Sequence, residues 1–314
     1  MVLPVFDLHC DTALSLLGEN LRMCGSLMKN NGHIDIERAD AYSAYAQCFA
    51  CFTSEAFGDI PPVDLFEREL ATIQRELERN QQYIRQAYTW RDICDNAKDG
   101  VKSAILTIEG PAGFGYDPAL LSDLYLVGFR MTTLGWNDKN PLTGSSKTGG
   151  GLTDLGRDYV KEAQRLGMIV DLSHISDDGF WDVLKMTQAP VIVSHSNSRA
   201  VWNVDRNITD DMFRAICESG GVAGINLYSE FLGVMPTLDT VCDHILHFLE
   251  LDPDCKHIAL GGDLDGCETL PIDFKGIQDY AALANRLMER GINQTMLDDI
   301  FWNNALEVFQ KCCI

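Results

Sequence analysis

Short apolar, β-branched or aromatic runs recur along the chain, and longer stretches with apolar positions three and four apart lie between them. Eight runs have the length of strands: residues 2–9, 45–53, 103–109, 127–134, 168–174, 190–195, 221–227 and 257–263. The intervening periodicity predicts helices over 65–87, 155–166, 178–186, 210–218 and 237–249. Strand and helix in alternation give βα units on a parallel sheet. Eight such units in a chain of 314 residues suggest an α/β fold of the (β/α)8 TIM-barrel type. No low-complexity segment and no Pro-, Gly- or Ser-rich linker divides the chain, so one domain over 1–314 is expected. The longest irregular stretches, 25–40 and 137–154, have the length of lids or substrate loops. Within the second, the run from Gly144 to Gly151 superficially resembles a phosphate loop, but Ser146 precedes Lys147 where that pattern needs glycine.

Composition narrows the class. With 46% hydrophobic residues the chain can bury a large core, and its formal charge of −21 disfavours nucleic acid and anionic membrane surfaces as partners. No run of eighteen uncharged apolar residues is present, so no transmembrane helix is expected. The opening residues lack the basic and long apolar regions of a signal peptide and read as the first strand. Eleven cysteines, an odd number scattered through apolar runs, are expected to be reduced thiols of a cytoplasmic protein. Cys48 and Cys51 lie in a run that reads as a buried strand, and neither they nor Cys312 and Cys313 have a second pair at zinc-site spacing.

Polar residues of one kind gather at the carboxyl ends of the predicted strands: His9 and Asp11, Glu109, His174, His195, and Asp263 with Asp265. In a barrel those ends form one face, where such folds do chemistry. The i, i+2 spacing of His9 and Asp11 puts both on one side of a strand, and Asp7 on the same side one step deeper. Imidazole and carboxylate are ligands for a borderline-soft divalent cation. Three histidines and at least two carboxylates exceed the needs of one tetrahedral ion and suit a two-metal site, with one carboxylate bridging. His33, His244, His247 and His257 are expected to be structural, and Glu268 and Asp273 to be solvated acids.

These residues carry a resemblance over nearly the whole chain. The sequence resembles the membrane (renal) dipeptidase family of zinc peptidases, within the amidohydrolase superfamily, as a bacterial-type cytosolic member. The matching motifs are Asp7-Leu-His9-Cys-Asp11, Ile108-Glu109-Gly110, Gly151-Leu-Thr-Asp-Leu-Gly156, Asp171-Leu-Ser-His174, Pro190-Val-Ile-Val-Ser-His195-Ser196 and Gly261-Gly-Asp263-Leu-Asp265-Gly266. The resemblance implies two Zn2+ per chain, His9, Asp11 and Glu109 on one, Glu109 bridging, and His174 and His195 on the other. It also implies Asp263 as the proton-transfer group, Arg206 as the receiver of the substrate's terminal carboxylate and Tyr228 as a pocket wall. In one place the chain departs from the family. A histidine that faces the scissile carbonyl in mammalian-type members is replaced here by Trp136, followed by Asn137, whose indole N–H and amide are candidates for the oxyanion.

The activity so implied is zinc-dependent hydrolysis of dipeptides by a metal-bridging hydroxide, with no covalent intermediate and with a D-residue at the C-terminal position left open. Asp263 would move the proton and Arg206 would grip the free carboxylate. A homodimer is the family habit. Hydrolysis of a lactone or an N-acyl amino acid stays open beside it, because fold does not fix substrate. So does a metal-binding protein without turnover, which retained metal and no dipeptide hydrolysis would favour.

Overall fold

The computed structural model describes residues 3–18, 25–55 and 57–313. All eight predicted strands form: β1 (Pro4–Cys10), β2 (Ala44–Phe52), β4 (Lys102–Glu109), β5 (Phe129–Thr133), β6 (Ile169–Asp171), β7 (Val191–Ile192), β8 (Ala223–Ile225) and β9 (Ile258–Leu260). They pair in parallel in the order β7, β6, β5, β4, β2, β1, β9, β8, and a bridge between Val193 and Ala223 joins the two ends. The result is a nearly closed barrel. A ninth strand, β3 (Ile84–Gln86), pairs with the outside flank of β4 and falls where the periodicity predicts the end of a helix. The helix runs only over Pro62–Arg79, and the Asn80 side chain closes it by donating to the Glu76 carbonyl (2.8 Å).

Alternation along the strands sorts side chains to the two sides of the barrel wall. Phe6, Leu8, Ala46, Cys48, Ile105, Met131, Ile169, Ile192 and Ala259 fill the inside, while Val5, Phe49, Leu106, Val170 and Leu260 pack beneath the surrounding helices. The amino-terminal mouth is plugged by the last helix, Asn304–Cys312, whose Phe309 ring lies 5.3 Å from Phe6. That helix and those over Trp90–Lys98 and Tyr280–Glu289 lie outside the helices predicted from the sequence. No described helix is long and apolar enough to cross a membrane. The ten described cysteines are free thiols, with Cys48 and Cys51 buried in β2 as expected.

One irregularity matters for everything that follows. Between Asp7 and Cys10 the pairing of β1 with β2 slips by a residue, so that Leu8 and His9 together stand opposite Cys48. Such a bulge re-aims the side chain beyond it. His9 therefore joins the inner face with Leu8, and Asp7 stays outside, bonded to the Tyr280 hydroxyl from an outer helix. The simple alternation that placed Asp7 on the face of His9 is corrected by this slip.

The plug is a measurable part of the fold. Phe309 is 1% exposed, so Phe309→Ala should destabilise the protein by about 3 to 5 kcal/mol in urea unfolding. A loss under about 1 kcal/mol would mean that the barrel bottom does not depend on this ring.

Candidate metal centre and cleft

Glu109 is the last residue of β4, and His9 stands one residue from the end of β1. His174, His195 and Asp263 follow β6, β7 and β9 where the chain has left the sheet. The runs predicted as strands over 168–174 and 190–195 are shortened because Asp171 captures their amides. Its carboxylate accepts from the Ser173 and Ser194 N–H groups, both at 2.9 Å. His174, Asp263 and Asp265 all have positive φ (68°, 55° and 66°), three of six such non-glycine residues described. Backbone held in that region costs energy and gathers at functional sites.

The side chains converge on Glu109. Its Oε2 lies 3.4 Å from His9 Nε2, which is itself 3.4 Å from Asp11 Oδ2; its Oε1 lies 2.9 Å from His174 Nε2 and 3.7 Å from His195 Nε2. Each oxygen thus faces a different set of donors. His9, Asp11 and Glu109 make one group whose ligand atoms all lie within 4.8 Å of one another, and Glu109, His174 and His195 make another. A third, His9, His195 and Asp263, overlaps both. His9 Nε2 and Asp11 Oδ1 are buried without a hydrogen-bond partner, since the contacts of His9 lack hydrogen-bond geometry. Buried orphans of this kind call for a ligand. The donor set, imidazole nitrogen and carboxylate oxygen, fits a pair of zinc-like cations.

Electrostatics agree with that fit. Burial lowers His174 and His195 well below the usual histidine range, helped by the Arg206 charge, and so keeps both imidazoles neutral as ligands must be. Burial also pulls His9 down, but the Glu109 and Asp11 carboxylates outweigh it and lift His9 well above its usual range. Glu109 is pushed up to about 7 by burial, with His9 acting against the rise. Without cations, His9 and Glu109 compete for a proton where positive charge is wanted.

Outer contacts aim the imidazoles. His195 Nδ1 meets Ser194 Oγ at 2.6 Å, and that hydroxyl donates to Asp171. His174 Nδ1 meets Asn137 Oδ1 at 3.2 Å. Asn137, expected as a substrate contact, lines the cleft but commits its carbonyl oxygen to orienting His174. Asp265 accepts from Thr12 Oγ1 (2.7 Å) and from the His33 N–H (2.5 Å), which occupies both carboxylate oxygens in fixing the loop of His33. Asp263 accepts from Asn226 (3.0 Å) through one oxygen and turns the other toward His9, 3.9 Å away. Of the two aspartates, only Asp263 keeps an oxygen toward the centre.

The centre opens into a cleft of about 670 Å³. Arg206 lines it, 7% exposed, with Nη1 donating to Ser196 Oγ (2.6 Å) and Nε and Nη2 unpartnered. Phe231 stacks beneath the guanidinium at 5.5 Å, and Tyr228 meets Phe231 edge-on at 4.9 Å. Trp136 packs against Phe52 and Phe57. Phe52, Phe57 and Phe231 escaped the sequence reading, which looked for charge at strand ends, although Phe52 stands at the end of β2 as the acids do at theirs. Glu268, expected as a solvated acid, also lines the cleft, and Asp273 accepts from the Leu238 N–H (2.8 Å) at a helix start. The remaining histidines bond within the fold: His33 accepts from the Asp265 N–H, His244 lies between Ser198 N and Leu232 O, His247 pairs with Asp210, and His257 meets Gly221 O.

Residues 2–312 match the membrane dipeptidase family, Peptidase family M19. The chain belongs to that family. An uncharacterized dipeptidase of Schizosaccharomyces pombe is 36% identical over 66% of this chain, but the match spans only 53% of that protein's length. An uncharacterized protein from the pqqA 5′ region of Klebsiella pneumoniae is 32% identical over 80% of this chain and 97% of its own. Among solved structures, a metallopeptidase from Rhodobacter sphaeroides, liganded with a phosphinate mimic of the dipeptide L-Ala-D-Ala, superposes with a TM-score of 0.88 at 25% identity, covering 99% of this chain and 100% of that one. A probable dipeptidase from Pseudomonas aeruginosa, 17% identical over 99% of this chain and 96% of its own, shares the fold with a TM-score of 0.89. In this M19 chain the His and acidic residues that the sequence places at strand ends are the ones that converge on Glu109.

Outer contacts of this kind tune metal affinity. Asp171→Asn should therefore weaken zinc binding roughly 10- to 100-fold in chelator competition, with the circular dichroism of the barrel retained. Unchanged affinity would show that Asp171 only shapes the loops.

Proposed function

We propose that this chain is a two-zinc dipeptidase, with one cation held by His9, Asp11 and Glu109, the other by Glu109, His174 and His195. The observation that carries the reading is Glu109, one oxygen toward each group of donors, in the same cleft as a buried guanidinium with two unpaired N–H groups. Bound there, such cations polarise a carbonyl and acidify water near neutral pH. The chain's own residues do the rest. Arg206 offers Nε–H and Nη2–H to the free carboxylate of the substrate, in the planar fork that suits a carboxylate. A substrate pinned at that end and reacting at the centre is short, which favours dipeptides. Asp263, with its free oxygen toward His9, takes the proton of the attacking water at Oδ1 and passes it to the leaving amine nitrogen. Asn226 holds its other oxygen so that it cannot swing away.

The L-Ala-D-Ala mimic bound to the Rhodobacter relative supports a dipeptide substrate and supports a D-residue at the second position.

A panel of dipeptides with free and amidated C-termini, assayed with zinc restored, tests the reading. Loss of a buried charge-assisted contact costs on the order of 2 to 5 kcal/mol, so Arg206→Met should lower kcat/KM by at least about 30-fold for free dipeptides and little for amidated ones. Asp263→Asn should retain zinc and lose roughly 10² to 10⁴ in kcat. Absence of hydrolysis of every free dipeptide by the zinc-loaded protein would end the proposal, and an equal loss on both substrate sets would remove Arg206 from carboxylate binding.

A further inference from the structure

The two sides of the cleft are built differently. Around the barrel mouth, Arg206 and the Tyr228–Phe231 pair belong to the segments after β7 and β8, while Phe52 ends β2 and Trp136 follows β5. The candidate ligands lie between these sides. On the β2–β5 side Phe52, Phe57 and Trp136 form a three-ring cluster: Phe52 to Phe57 is 5.0 Å at 88°, Phe52 to Trp136 is 4.9 Å at 71°, and Phe57 to Trp136 is 6.4 Å at 87°. Edge-to-face packing of this kind holds each ring by the others and leaves an apolar surface of fixed shape. All three rings line the cleft, and Trp136 lies 6.3 Å from the His174 ring.

We propose that the Phe52–Phe57–Trp136 cluster receives the amino-terminal side chain of the dipeptide and selects an apolar or aromatic one. This rests on the dipeptidase reading above. A substrate whose carboxylate is held at Arg206 and whose scissile carbonyl lies over the ligands extends its first residue away from β7 and β8, toward β2 and β5. Its side chain then meets rings rather than charge. Trp136, which packs against both phenylalanines and lines the cleft, is thereby a specificity residue of this chain. Lys147 also lines the cleft and is the competing feature, since it would favour an acidic first residue.

Steady-state kinetics on the zinc-loaded protein with Phe-Ala, Leu-Ala, Gly-Ala, Asp-Ala and Lys-Ala, and with Gly-Phe for the second position, test this. Apolar contacts of this size discriminate by roughly 10- to 100-fold, so kcat/KM for Phe-Ala and Leu-Ala should exceed that for Gly-Ala by about that factor. In Trp136→Ala the Phe-Ala to Gly-Ala ratio should fall at least about fivefold toward unity, with Trp136→Phe intermediate, while the Gly-Phe to Gly-Ala ratio stays as in the parent. If Trp136→Ala fails to fold, the same comparison is read from Trp136→Phe and Phe52→Leu. No hydrolysis of any of these dipeptides would overturn the dipeptidase reading itself. Hydrolysis of Gly-Ala and Phe-Ala with equal kcat/KM, a preference for Asp-Ala, or a ratio unchanged by the substitutions would overturn the role of the cluster and leave the dipeptidase reading standing.

Discussion

Two oxygens of one buried carboxylate face two different sets of nitrogen and oxygen donors, and much of the mouth of this barrel is arranged to keep them there. Glu109 is 3% exposed, Asp11 is 5% exposed, and Asp263 stands beside them. Carboxylates taken out of water at such close range repel one another and lose hydration, and removing positive charge from such a group is strongly unfavourable. The nearby imidazoles of His174 and His195 are kept neutral by burial, and Arg206 is a single guanidinium on the cleft wall. The balance therefore calls for cations. The unpartnered atoms of His9 and Asp11 are the local expression of that demand, and those of Arg206 express the complementary demand for an anion.

The rest of the architecture supplies aim. The slip in β1 turns His9 into the barrel, Asp171 shortens β6 and β7 while fixing Ser194 behind His195, and Asn137 meets His174 from the loop after β5. Asp7, outside the wall, receives the amides of His9 and Gly262 and so ties the ends of β1 and β9 together just below Asp263. Backbone conformations at positive φ are held at His174 and Asp263 by these contacts. A barrel plugged below by Phe309 gives the mouth a rigid base on which this arrangement can be kept.

The barrel was legible in the sequence because each of its eight strands is an apolar run of its own and each candidate ligand stands at or just past a run's end. The grouping of the candidate ligands was legible for the same reason, since those residues come together around Glu109. Alternation alone misplaced Asp7, because a one-residue bulge leaves no mark in the order of polar and apolar positions. Strand β3 was hidden inside a helical periodicity whose end is set by Asn80 bonding back to Glu76, a tertiary and local detail rather than a pattern. Asp265 and Asp263 read alike in sequence, and only their partners, Thr12 and His33 for one and Asn226 for the other, tell them apart. The aromatic cluster was invisible because Phe57 and Trp136 come from loops far apart in the chain.

The central claim is that Glu109 stands between two cations. A crystal structure of the zinc-loaded protein, with anomalous data collected on both sides of the zinc absorption edge, addresses it without reference to turnover. Two zinc peaks should appear, one within about 2.0 to 2.2 Å of ligand atoms of His9, Asp11 and Glu109, the other at the same range from Glu109, His174 and His195. A single peak under saturating zinc, or two peaks with Glu109 ligating only one of them, would contradict the account.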